Sequence, residues 1–389
     1  MSDQGAGSGS GSFADNISGV GEYEFSLPKK RYFQPWHKPR KQFVRKEQWC
    51  YFIGQLLDEI PISENTLTYF GLPGDDLLDL RCFGSAVCEP RHIKLRFLGF
   101  NNSAAAAAEG QTELNISMDE VSKSASFDPR SEILPDDMRE LVNTSSIAWY
   151  KTSQIGPYDV INLDLCDGFG AQSPGHFDET YYNMILTLLS VQARRKTPWL
   201  LLLTTRVGKA HVHAETLKRL AGLYRLNLAE CAPFQAASSE RFNISDATSL
   251  EDAKKSEAGI QSVFLVGLCK WFLHLAAAHN PPSTMEVKSA LGYRVHGNAS
   301  IADMVSIAIR FNPTFEVTKD PANLATIQPT PIDECDLATK VLKRVSSLLD
   351  VDEYLLSERD IRQEMIEEMC TLLEAARYDT DEYRRQQSI

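Results

Sequence analysis

The sequence holds no Cys-x-x-Cys pair, no Gly-x-Ser-x-Gly elbow, no Gly-rich phosphate loop closing on Gly-Lys-Ser/Thr and no paired Cys/His nucleophile arrangement. These absences remove the sequence support for a thiolate zinc module, a thioredoxin-like redox pair, a serine hydrolase, a P-loop kinase or a cysteine enzyme. Met1 to Ser12 is Gly/Ser-rich and lacks a charged-then-apolar leader pattern. No apolar run is uninterrupted over a bilayer's width: the most apolar window, 259–278, is broken by Lys270 and His274 and predicts a buried helix, with no membrane contact. The cysteines at 50, 82, 88, 166, 231, 269, 335 and 370 are scattered, which reads as reduced core thiols in a cytoplasmic protein. Basic residues are outnumbered by acids, giving a formal charge of −12, so the chain is not basic all over.

What is present is ordinary for a globular chain: 389 residues, 43% hydrophobic and 24% charged. That length allows two or three domains, or one large α/β domain with appendages. One stretch departs from the average. Residues 29–46 carry eight Lys or Arg and no acid, interleaved with Tyr32, Phe33, Trp36 and Phe43. Cations hold phosphates and aromatic faces stack on bases, so Lys29, Lys30, Arg31, Trp36, Lys38, Arg40 and Lys41 are candidate nucleic-acid contacts. The competing reading is an arm, extended in its first half by Pro35 and Pro39, whose rings pack on the core while its cations face water or acidic neighbours.

The centre of the chain is Pro157 to Gly170, an aliphatic and β-branched run ending in Asp164, Asp167, Gly168 and Gly170. An apolar body with acids at its carboxyl end suits a strand of a parallel sheet covered on both faces, whose mouth opens on a ligand crevice. An ordinary strand ending in an Asp-Gly turn accounts for the same residues. Other strands are expected at 67–70, 93–100 and 198–204, and an antiparallel pair at 285–296 and 304–311 joined through Gly297-Asn298. Helices are expected at 45–59, 131–141, 178–195, 212–225 and 259–278, with 232–258 an irregular polar insertion and no strand between 111 and 153. Near the end, Leu337, Val341, Val345 and Leu348 form one apolar face, and Ile361, Met365, Met369, Leu372 and Ala376 another. These two helices suit a hairpin that docks on the core, or an arm that binds a protein partner.

Taken together, residues 47–312 resemble the class I S-adenosylmethionine-dependent methyltransferase superfamily. The resemblance implies a mostly parallel, Rossmann-like, seven-stranded sheet ending in an antiparallel hairpin. It implies that Tyr69-Phe70-Gly71-Leu72-Pro73-Gly74 approaches the cofactor, with Gly71 and Gly74 as cofactor-binding positions. Asn101 stands where the family places an acid on the ribose hydroxyls, and an amide accepts more weakly than a carboxylate. Asp164 and Asp167 stand near the transferred methyl group as candidate catalytic residues, with Phe169 able to stack on a substrate ring. Thr204, Thr205 and Arg206 are expected to face the same crevice, and Arg206 and Lys209 either contact an anionic substrate or lie on a solvated loop. Two acids three apart also suit a divalent metal, but no third oxygen ligand is recognisable, so no metal is expected.

The expected organisation is a Gly/Ser-rich disordered tail at 1–22, a basic aromatic arm at 23–46, the methyltransferase-like domain at 47–312, a Pro-rich linker at 313–331 and a helical extension at 332–389. Two functions follow from the resemblance. One is a divergent S-adenosylmethionine-dependent methyltransferase acting on nucleic acid. The other is a non-catalytic descendant that binds nucleic acid or a protein partner as a subunit of a bacterial complex, for which an anti-phage defence assembly is one setting.

Overall fold

Runs that are apolar on both sides become inner strands, and here they do. In the computed structural model, which describes residues 29–102, 108–165, 167–174, 180–279, 282–295, 299–314, 322 and 332–387, eight strands form one sheet. They are β1 (Thr66–Gly71), β2 (Lys94–Phe100), β3 (Glu132–Leu134), β4 (Val160–Asp164), β5 (Trp199–Arg206), β6 (Ser283–Tyr293), β7 (Met304–Pro313) and β8 (Leu349–Asp350). Their order is β3-β2-β1-β4-β5-β7-β6-β8. The first five are mutually parallel, and β7 runs antiparallel to both β5 and β6. This is the mostly parallel α/β sheet with an antiparallel hairpin that the sequence led us to expect, with β8 as an eighth, two-residue strand. The tail 1–22, the turn Gly297-Asn298 and all of the linker 313–331 except residues 313, 314 and 322 lie outside the described residues.

Helices cover both faces. α1 (Pro39–Phe43) continues through a wide-turn, π-helical stretch, Val44–Cys50, into α2 (Tyr51–Glu59). The helix therefore starts at Pro39, not at Arg45, because proline is tolerated at the first helical position, where no intrahelical N–H is required. With α3 (Leu78–Phe83) this layer buries Phe43, Val44, Trp49 and Ile53 against Tyr69, Val160, Leu200 and Leu202. The other face buries Phe70, Ile161, Leu163, Leu201 and Leu203. Between β2 and β5 come α4 (Ala108–Ser122), α5 (Ile147–Ile155) and α6 (Tyr181–Gln192), and after β5 come α7 (Ala214–Glu230), α8 (Ala232–Phe242), α9 (Ala247–Ala253) and α10 (Glu257–Ala278). The stretch 232–258 is thus helical rather than irregular: Cys231 and Asp246 cap α8 and α9, and Phe234 and Leu250 anchor them in the core. Residues 131–141 form β3 and a short 3-10 turn, Met138–Val142, instead of a helix. Phe100 of β2 pairs with Leu134, and that long-range pairing overrides local helix propensity.

α10 is long and apolar enough to cross a membrane, but it is packed in the core. Lys270 is accommodated there by donating to the Leu223 carbonyl at 2.9 Å and pairing with Glu334 at 3.1 Å. Burial pulls its pKa down, against the pull of Glu334. Glu334 opens α11 (Glu334–Ser346), which packs through Ala338, Val341, Leu342 and Val345 on the α10 face. α12 (Val351–Ser357), α13 (Arg359–Ala375) and α14 (Thr380–Gln387) complete the chain. α13 buries Met365, Ile366, Met369 and Leu372 on the opposite face, beside α1 and α3. Both expected amphipathic helices dock on the core, but on opposite faces of the sheet rather than as a hairpin. The cysteines are not all reduced: Cys231 and Cys335 are joined, their Cα atoms 5.6 Å apart, which ties α11 to the start of α8.

The arm and the C-terminal helices meet each other. The Lys30 N–H donates to the Arg377 carbonyl and the Asp379 N–H to the Lys30 carbonyl, both at 2.9 Å. Phe33 packs against Tyr378 and Tyr383, and the Tyr383 hydroxyl donates to the His37 carbonyl at 2.5 Å.

Candidate ligand crevice

The carboxyl ends of β1, β2 and β4 lie side by side, with Gly71 in register with both Gly99 and Asn162. In an open parallel sheet this is where a ligand is received. The loop after β1 is held in a fixed shape. A side chain at Gly71 would collide with the Tyr69 hydroxyl, and one at Gly99 would meet the Pro73 ring at 2.7 Å. Around Gly74, by contrast, a Cβ would find open space. Asn101 is buried and its amide nitrogen donates to the Pro73 carbonyl at 3.0 Å and to Asp75 at 2.9 Å. It latches the loop down.

Three carboxylates at this edge each receive a cation from the arm. Lys41 is 3% exposed and donates to Asp164, itself 23% exposed, at 2.6 Å. Its ammonium also sits 4.3 Å above the Trp49 ring and 6.0 Å from that of Tyr293. Burial alone would lower the Lys41 pKa, but Asp164, Tyr293 and Asp79 outweigh it, and the net shift is upward. Arg45, buried, pairs with Asp79 at 2.6 Å and also donates to the Trp36 carbonyl. Its net shift is also upward, with Asp79 overcoming desolvation. Asp76 accepts from Lys30 at 2.6 Å and from the Tyr378 hydroxyl at 2.7 Å. Lys41, Arg45 and Trp49 are spaced four apart, so one helical face delivers all three to the crevice.

His37 lies between these pairs with no exposure. Its Nδ1 accepts the Gln34 N–H at 3.2 Å, which puts the ring proton on Nε2, 3.8 Å from Asp76. Desolvation is the main reason its pKa falls to about 4; Asp76 opposes it, while Arg45 and Lys30 reinforce it. On β4, Asn162 is buried with neither amide atom in a well-formed hydrogen bond, and the Tyr69 hydroxyl is its neighbour. Burial pushes Tyr69 well above the ordinary tyrosine range and Tyr293 up to about 12. A buried hydroxyl network completes the floor: Thr204 donates to Ser306 at 3.0 Å, Trp49 donates to Ser306 at 3.2 Å, and Ser306 donates to Gln48 at 2.6 Å.

The other expected residues are distributed unevenly. Asp167 is exposed at the mouth. Phe169 does not face a substrate: it is fully buried among Tyr181, Tyr182, Trp271 and Phe272, and its N–H donates to the Thr205 hydroxyl at 2.7 Å. Gly168 packs against the His211 carbonyl, which turns the chain inward and carries Phe169 into the core. Thr204 and Thr205 are likewise buried. Arg206 pairs with Asp303 at 2.5 Å, and Lys209 is exposed on the following loop. Among the arm candidates, Lys30, Arg40 and Lys41 are in ion pairs with Asp76, Asp352 and Asp164. Arg31 pairs with Asp379 while remaining 75% exposed. Lys29 is exposed, and so are Tyr32 at 77% and Trp36 at 42%. The Lys38 pKa is lowered by burial first and then by the like charges of Arg40 and Arg362. Among the described residues, no group of three His, Cys, Asp or Glu side chains is placed to hold a metal.

A family model described as PP_RS20740-like matches residues 30–387. The chain belongs to that family. The match spans the arm and the C-terminal helices as well as the sheet, the same parts that interlock at the crevice. No curated protein matches the chain. Among solved structures it is similar to a protein described as an rRNA methylase from Clostridium thermocellum, at 12% identity and a TM-score of 0.30, covering 68% of this chain and 96% of the other. It is also similar to a protein described as a class I S-adenosylmethionine-dependent methyltransferase from Listeria monocytogenes, at 10% identity and a TM-score of 0.31, covering 78% and 71%. Likenesses this loose carry no argument, and what the strand order and register above establish is the mostly parallel, Rossmann-like α/β sheet with its antiparallel hairpin.

Proposed function

We propose that this protein is a methyltransferase-fold binding subunit whose crevice is closed by its own arm, and that it contacts nucleic acid without transferring a methyl group. The observation that carries this reading is the Lys41 ammonium on Asp164. S-adenosylmethionine presents a sulfonium cation, and Asp164, already neutralised by the Lys41 ammonium at 2.6 Å, has no unpaired charge to offer it or a released proton. The ribose end fits no better, because Asn101 replaces an acid and spends its N–H groups on the β1 loop. Nucleic acid would meet the outer face of the arm, where Lys29, Arg31 and Lys38 stand with the exposed rings of Tyr32 and Trp36.

A second reading, S-adenosylmethionine-dependent methyl transfer, is favoured by the open space at Gly74 and by the exposed Asp167 at the mouth. A carboxylate there is placed to accept the proton released on methylation of a nitrogen or oxygen. Calorimetric titration with S-adenosylmethionine and S-adenosylhomocysteine separates the two. The binding-subunit reading expects no heat at millimolar ligand; saturable micromolar binding overturns it in favour of the second. For nucleic acid, the anisotropy of a labelled single-stranded oligonucleotide should rise on adding protein at low salt and fall back as salt is raised. An unchanged response in Trp36→Ala/Lys38→Glu would remove the arm from that contact.

A further inference from the structure

The outer edge of β6 is taken only at its end, where β8 pairs in parallel with Leu291 and Gly292. From Ser283 to Ala290 that edge has no strand partner among the described residues. α11 runs beside it, and a groove of about 560 Å³ lies between the two. Its floor is apolar, formed by Met285, Val287 and Val341. Its rim is basic. Lys340 is paired with Asp336, but Lys343 and Arg344, both exposed in the last turn of α11, have no acidic partner among the described residues. Cations at a helix carboxyl end favour the helix itself, yet leave their charge unneutralised toward the groove.

We propose that this groove takes an extended acidic peptide segment from a protein partner, which adds a strand to the free edge of β6. An unpaired strand edge offers its N–H and C=O groups to a ladder, and alternate side chains of an added strand fall on one face. Here that face is the Met285/Val287 floor, and acids on the peptide meet Lys343 and Arg344. β8 demonstrates that the edge accepts a parallel strand in this chain. The register shift between Val287 and Ser289 bends the edge there, so Ser283 to Val287 is the straight portion available for pairing.

The test uses the full chain and fluorescein-labelled peptides of alternating Val and Glu, with alternating Val and Lys, and an N-methylated Val/Glu peptide, as comparisons. Saturable binding of the Val/Glu peptide is expected, lost on N-methylation because the ladder cannot form. Lys343→Glu/Arg344→Glu should weaken it about tenfold or more, with an unchanged melting temperature. Absence of saturable binding overturns the proposal, as does equal binding of the Val/Lys or N-methylated peptide. A dimer in sedimentation that the double variant abolishes and the Val/Glu peptide fails to displace would also overturn it, since the groove would then belong to a second copy of the chain.

Discussion

Replacing Lys41 by methionine keeps an unbranched apolar stem over Trp49 and removes only the ammonium. What remains is Asp164 with no cation. Breaking a fully buried pair by deleting one partner costs about 3–5 kcal/mol. Asp164 keeps some contact with water at 23% exposure, so the cost should sit lower, at about 2–3 kcal/mol. In a chain of this size that lowers the melting temperature by roughly several degrees. Lys41→Met combined with Asp164→Asn should recover most of the loss, because no unpaired charge remains, and the coupling energy should fall at about 1–3 kcal/mol. Urea denaturation of the wild type, the two single variants and the double variant reads all four values. The pH sign is fixed by the raised Lys41 pKa: the pair contributes fully below the ordinary lysine range and is lost as pH rises through the raised value. Lys41→Met within about 0.5 kcal/mol of wild type, or strict additivity in the double variant, would refute the idea that this pair seals the crevice.

His37 has a folded pKa near 4 against an ordinary 6.5, so the unfolded chain binds its proton first and stability falls as pH drops through that interval. The loss should approach about 3 kcal/mol near pH 4 and be absent from the difference between His37→Phe measured at pH 7 and at pH 5, which thermal melts can follow. Phe169→Ala should cost about 3–5 kcal/mol as a core truncation, whereas Asp167→Ala should change stability by no more than about 0.5 kcal/mol, as judged by denaturant midpoints. Arg45→Met strands Asp79 in the interior and should be about as severe as Phe169→Ala, while Arg31→Ala, whose partner lies at the surface, should be near neutral.

The parts of the fold that could be read in advance are those where one strand carries its own signal. Trp199 to Leu203 is apolar on both faces and Val160 to Leu163 nearly so, broken only by Asn162, which suits an inner strand. The alternation from Val305 to Phe311 marks a strand but suggests a half-buried one, whereas Ser306 and Ala308 are buried as fully as their apolar neighbours because β7 lies between β5 and β6. β3 is three residues long and exists because β2 offers it an edge, so no local pattern announces it. The helices at 232–253 have little amphipathic character to detect, being rich in Ser, Ala and Glu, and depend on Phe234 and Leu250 for anchorage. At the site, Asp164 was visible as a carboxylate at a strand mouth. Its partner was not, because Lys41 lies 123 residues away and comes from a segment whose charge suggested an external ligand. The spacing of Lys41, Arg45 and Trp49 on one helical face was the available clue: two cations on the same stripe as a buried tryptophan point inward. Phe169 misled for the converse reason. A ring beside two acids and two glycines suggests a ligand, but the close approach of Gly168 to the His211 carbonyl carries it into the core.

Arm, crevice and C-terminal helices form one closed unit, with Lys41, Arg45 and Lys30 as resident counter-ions. Hydrogen exchange of the full chain tests it directly. Amides of residues 41–57 should exchange as slowly as those of β4 and β5, opening only with global unfolding. Exchange of residues 41–50 by fast local opening, with β4 and β5 still protected, would contradict the account and make the arm a lid over an accessible crevice.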